Sequence, residues 1–109
     1  MDKIERFIKK FKKDSNNEKF LENHFTNGYC YHFAVILAVL FGNENYQSNI
    51  MYNPIDNHFA TKYNNKLYDI TGEIKLTTDW VDWNRYKEFE PLDSERVIKN
   101  CIYKIVEEE

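Results

Sequence analysis

Three side chains in this sequence are of types that together perform acyl-transfer chemistry: Cys30, His58 and Asp69. A thiol attacks as its thiolate, and the unpaired N–H groups and positive dipole end of a helix N-terminus favour that form. Cys30 lies just before the run Phe33 to Phe41, which holds no charged residue although Asp, Glu, Lys and Arg make up 30% of the chain. Histidine supplies a base for the thiol proton, and a carboxylate behind the ring fixes its tautomer and steadies the imidazolium. Each residue alone has a plainer reading, Cys30 as core packing and Asp69 as the end of a strand. Their joint placement is what points to chemistry.

The elements that must position them follow from the pattern around each. Length, two alanines, two leucines and Gly42 as a left-handed cap read the apolar run as a central helix with Cys30 in its first turn. It is too short to span a bilayer, which takes about 20 apolar residues. The stretches Asn57 to Tyr63 and Lys66 to Thr71 flank Asn64-Asn65, a pair that tolerates the positive φ of a two-residue hairpin turn. That turn pairs Tyr63 with Lys66, Ala60 with Asp69 and His58 with Thr71. His58, Ala60, Asp69 and Thr71 then share one face, with the β-carbons of His58 and Asp69 roughly 5 to 8 Å apart. Phe59, Tyr63, Tyr68 and Ile70 point the other way, and the face bearing His58 is expected to meet the start of the helix.

The remaining segments frame this unit. Ile4, Phe7, Ile8 and Phe11 recur at helical spacing over residues 2 to 13, with Asp2 as a cap. Asp14 to Asn17 is a polar break, Glu18 to Phe25 a further helical turn or two, and Thr26-Asn27-Gly28 a break before the central helix. Residues 43 to 56 read as a loop with a short strand near Gln47 to Tyr52. Trp80, Val81 and Trp83 anchor a loop or short helix, and Tyr86 to Phe89 extends toward a third strand before Pro91. Val97, Ile98, Cys101, Ile102 and Ile105 lie at helical spacing after a cap at Asp93 or Ser94, with Cys101 on the core face and an acidic end that opposes the dipole.

The segment Asn27-Gly28-Tyr29-Cys30-Tyr31-His32-Phe33-Ala34 before a long apolar helix, His58 opening one strand and Leu67-Tyr68-Asp69-Ile70-Thr71-Gly72 on the next resemble the papain-like superfamily in its broad sense. Its compact members include the NlpC/P60-type peptidases and the transglutaminase-like proteins. The resemblance covers residues 27 to 72. It implies an α+β fold in which a central helix with the nucleophile at its N-terminus packs on a small antiparallel sheet; the periodic segments at both ends add flanking helices, and the chain length points to a single domain over residues 1 to 109. The resemblance further implies Cys30 as nucleophile, His58 as base and then acid, and Asp69 as orienting group. The Cys30 backbone N–H is one oxyanion donor, and Asn23, His24 and Asn27 are candidates for a second. The chain departs from the commoner peptidases in lacking a Cys-Trp or Cys-Ser-Trp setting; Cys30 stands between two tyrosines.

The activity expected is thiol-dependent acyl transfer, most simply hydrolysis of a peptide or amide bond, on a peptide or protein substrate. The alternative is an inactive papain-like scaffold that binds or inhibits a protein target, with Trp80, Trp83 and several tyrosines as its recognition face. A net charge of −3 without a basic block argues against nucleic acid. Without Cys-x-x-Cys, His-x-x-x-His or a glycine-rich phosphate loop, neither a metal nor a cofactor is expected, and His32 reads as a first-turn residue with a local partner. Two cysteines, and an N-terminus that lacks a signal-peptide pattern, read as a reducing, cytoplasmic setting with free thiols and no membrane partner. Oligomeric state is left open.

Overall fold

The computed structural model describes residues 2–26, 29–42 and 48–102, apart from the side chain of Cys101. In chain order its elements are α1 (Lys3–Asp14), α2 (Glu18–Thr26), α3 (Cys30–Phe41), β1 (Ser48–Asn53), β2 (His58–Tyr63), β3 (Lys66–Asp69), β4 (Gly72–Ile74), β5 (Val81–Asp82), α4 (Trp83–Phe89) and α5 (Pro91–Val97), then a π-helical turn, Ile98–Ile102. The strands form one antiparallel sheet in the order β4-β3-β2-β1-β5. No helix among the described residues is long and apolar enough to cross a membrane.

The hairpin holds because two consecutive asparagines take the left-handed conformation, with φ of 51° at Asn64 and 64° at Asn65. Most side chains oppose that geometry, whereas asparagine tolerates it and the resulting turn matches the strand twist. The register is therefore the one the spacing predicts, with Tyr63 opposite Lys66 and Thr61 opposite Tyr68. The second strand is shorter than expected. It stops at Asp69, and the chain turns through Ile70 and Thr71 so that Gly72, at φ 115°, pairs back with Asp69 to start β4. Thr71 thus does not pair with His58.

The face turned to α3 is the Phe59 face. Thr61 Oγ1 donates to the Ala34 carbonyl at 2.8 Å, and Phe59 packs with Cys30, Ala34, Tyr52, Trp83 and Val97. Tyr63, Tyr68 and Ile70 meet α1 and α3 through Ile4, Ile8, Phe33 and Leu37. Ala60 lies on the opposite face with Met51, Leu67 and Trp80. The expectation that the His58 face would cover the helix is thus corrected, because the larger apolar side chains of the hairpin are the ones that bury against α3. His58, the first residue of β2, keeps its side-chain contacts to Asp69 and Trp80.

Three further corrections have local causes. Gly42 is extended (φ −70°, ψ 135°), not left-handed. Glycine fits there because an added β-carbon would stand 2.6 Å from Ser48 Oγ and 2.8 Å from the Ala38 carbonyl oxygen. Tyr86 to Phe89 belongs to the short helix that starts at Trp83, not to a third strand: Asp82 Oδ1 accepts the N–H groups of Asn84 and Arg85 and starts the helix, while the strand falls on Val81–Asp82. The final helix begins at Pro91, so Asp93 and Ser94 lie in its first turn and neither is the cap. Ile105, the acidic terminus and the Cys101 side chain lie outside the described residues. At the other end, Asp2 caps α1 as predicted, its Oδ1 accepting the Glu5 N–H at 2.8 Å.

Candidate active site

Cys30 is the first residue of α3, and the cap, Tyr29, makes no side-chain hydrogen bond to the helix. No acidic residue stands in the first turn, so nothing anionic there competes for the N-terminal N–H groups. The helix enters tightly, with the His32 and Phe33 N–H groups both directed to the Tyr29 carbonyl. Cys30 is a free thiol with 4% of its surface exposed. It is bordered by the aromatic rings of Tyr52, Phe59 and Trp83.

His58 Nε2 lies 2.9 Å from Asp69 Oδ2, and the two side chains keep 17% and 10% of their surface. The carboxylate can only accept, so Nε2 carries the hydrogen and Nδ1 is left for another partner. Cys30 also contributes to the charge balance of the ring. Burial alone would lower the imidazole pKa, but the bond to Asp69 and then the pull of Cys30 outweigh it and push it up to about 9. Asp69 shows the converse balance: burial raises it, and its bonds to His58 and Thr71 hold it below the usual carboxylate range. The edge of Trp80 meets the His58 ring, with centroids 5.9 Å apart at 67°. Cys30, His58 and Asp69 do not converge on a point as metal ligands would; among the described residues only Asp2, Glu5 and Glu73 do so.

Thr71 and Trp80 are the participants that the sequence reading missed. Thr71 donates both its backbone N–H, at 2.8 Å, and its hydroxyl to Asp69 Oδ1, which leaves Oδ2 for the imidazole. The signal was present in Asp69-Ile70-Thr71, since an aspartate accepting the N–H two residues on is an Asx turn. Nothing in the sequence marks Trp80 for the His58 ring.

The oxyanion candidates separate. His24 stacks on Tyr29 at 4.1 Å and 9°, beside the start of α3, and also stacks on Phe20. Asn23 is exposed on α2, and Asn27 lies outside the described residues. Burial is the main cause that lowers the His32 pKa, and its Nδ1 is buried without a hydrogen bond. Trp83, Tyr52, Tyr63 and Tyr68 are buried, and Trp80 is half-buried, so these side chains do not form an aromatic recognition face.

A helix with Cys30 at its N-terminus, packed on a five-stranded antiparallel sheet, makes this an α+β protein whose coarse architecture is consistent with a generic papain-like type. More specifically, residues 4–105 match the family described as phage YunG-like protein, and the chain belongs to that family. No curated protein and no solved structure matches the chain.

Proposed function

We propose that this protein catalyses thiol-dependent acyl transfer, most simply amide hydrolysis, with Cys30 as nucleophile, His58 as general base and acid, and Asp69 as orienting carboxylate. The observation that carries the reading is the His58–Asp69 pair, with 2.9 Å between Nε2 and Oδ2, together with the upward pull of Cys30 on the His58 pKa. With its pKa at about 9 the ring keeps the thiol proton on Nδ1 at neutral pH, and the sulfur attacks the carbonyl carbon of the substrate. As the tetrahedral intermediate collapses, the C–N bond breaks and His58 returns that proton to the leaving amine. Water then attacks the thioester while giving a proton to His58. The S–C bond breaks, a carboxylic acid leaves, and the ring keeps its proton beside the thiolate. The Cys30 backbone N–H faces the developing oxyanion. Near-complete burial of the thiol favours a narrow substrate end over a folded chain.

An activated ester tests the reading without knowledge of the natural substrate. With p-nitrophenyl acetate, one equivalent of acetyl group is expected on Cys30 by peptide mass mapping, with a matching burst of nitrophenolate. His58→Ala should slow acylation by about 100-fold or more, the usual contribution of a positioned base. Acylation at an equal rate in His58→Ala, or none at Cys30, overturns the reading.

A further inference from the structure

Charge in this chain is segregated. Helix α1 holds six basic residues against Glu5 and Asp14, whereas the rest of the chain has nine basic and sixteen acidic residues. Lys12 is bound to Glu22 at 2.9 Å, and the Lys3 ammonium lies over the rings of Phe41 and Tyr63. Arg6, Lys9, Lys10 and Lys13 are exposed, and none of them forms an ion pair among the described residues. At 100° per residue these four fall within one third of the helix circumference and run for about 10 Å along it.

This stripe borders an apolar groove between α1 and α2. Phe7, Phe11 and Leu21 line it with Lys10, Asp14 and Ser15, and it encloses about 550 Å³. Phe7 and Phe11 stack at 5.7 Å and are only partly buried. Lys10 belongs to both features, since it also lines the shallow depression formed by Arg6, Lys9, Lys13 and Asp14.

We propose that the α1–α2 face docks a helical segment of a partner protein, with apolar side chains in the Phe7–Phe11–Leu21 groove and carboxylates along the adjoining edge against Arg6, Lys9, Lys10 and Lys13. An apolar groove beside a cationic rim is the complement of an acidic amphipathic helix. Nucleic acid fits less well. A duplex carries a charge every 1.7 Å or so and would extend beyond a stripe of about 10 Å onto the acidic remainder of the chain. A bilayer fits less well again, because Ile4 and Ile8 on the apolar side of α1 are already buried in the core.

The test uses the full chain and a labelled synthetic peptide of about 18 residues, with leucines on one helical face and glutamates along its border, read by fluorescence anisotropy. Micromolar binding is expected, weakening about 10-fold between low and 0.3 M salt, with little binding of a scrambled peptide of the same composition. Each exposed ion pair is worth a factor of about two to five, so Arg6→Glu, Lys10→Glu and Lys13→Glu together should weaken binding by about 20-fold or more with an unchanged circular dichroism spectrum. Leu21→Ser should weaken it without changing the salt dependence. Cys30→Ala should bind normally, which keeps this surface separate from the thiol chemistry. Failure of the ordered peptide to bind, equal binding of the scrambled one, unchanged affinity in the triple variant, or tighter binding of duplex DNA each overturns the proposal.

Discussion

Asp69→Asn isolates the electrostatic link that the site depends on. Asn is isosteric and its Oδ1 can still accept the Thr71 N–H and hydroxyl that bind Asp69. Its amide nitrogen then faces His58 Nε2, but as a donor where the carboxylate oxygen was an acceptor. The ring must answer as an acceptor at Nε2, which places its hydrogen on Nδ1 and blocks that atom from taking the thiol proton. The pKa of His58 rises from 6.5 to about 9 in the intact site. At 1.36 kcal/mol per unit this is worth roughly 3 kcal/mol, which partial exposure of the ring trims to about 2. Because the folded value is raised, that stability is complete below pH 6.5 and is lost as pH climbs through about 9. Asp69, held below 3.8, loses its share as pH falls through its own lowered value. In Asp69→Asn the imidazole should titrate about two units lower by NMR of its Cε1–H. Urea unfolding at pH 6 should show a loss of about 2 kcal/mol that shrinks by pH 10. A wild-type His58 titrating near its ordinary value, or an Asn variant with an unchanged titration, refutes the reasoning.

Thr71→Val removes one of the two bonds to Asp69 Oδ1 and keeps the backbone one. It should cost about 1 kcal/mol in urea unfolding and lower the His58 pKa by less than Asp69→Asn does, whereas Thr71→Ser should restore both. Gly42→Ala puts a methyl group 2.6 Å from Ser48 Oγ and 2.8 Å from a backbone oxygen that cannot yield. A loss of about 1 to 3 kcal/mol is expected, and an unchanged melting temperature would contradict the close approach.

The hairpin was legible because two adjacent asparagines between β-type runs leave one economical turn, and a two-residue turn fixes the register of everything beside it. That made the meeting of His58 and Asp69 predictable. The face against α3 was not legible, because Phe59 and Tyr68 on one side and Ala60 and Leu67 on the other are all apolar, and alternation alone does not say which side a helix covers. Val81–Asp82 is too short to show a period, and the helical reading of Trp83 to Phe89 depends on Asp82 as a cap, which only the backbone reveals. Thr71 was read as a strand residue, although its spacing from Asp69 marked a turn. The basic stripe of α1 was hidden in the near-balanced total, since a net charge of −3 averages a cationic helix with an acidic remainder.

The most direct test of the central claim is the rate at which iodoacetamide alkylates Cys30 at neutral pH, followed by peptide mass mapping with Cys101 as the internal comparison. Fast modification of Cys30 over Cys101 is predicted, slowed about 10-fold or more in both His58→Ala and Asp69→Asn while far-ultraviolet circular dichroism stays unchanged. Equally slow modification of the two cysteines, or a Cys30 rate indifferent to both substitutions, would contradict a thiol activated by the imidazole and its carboxylate.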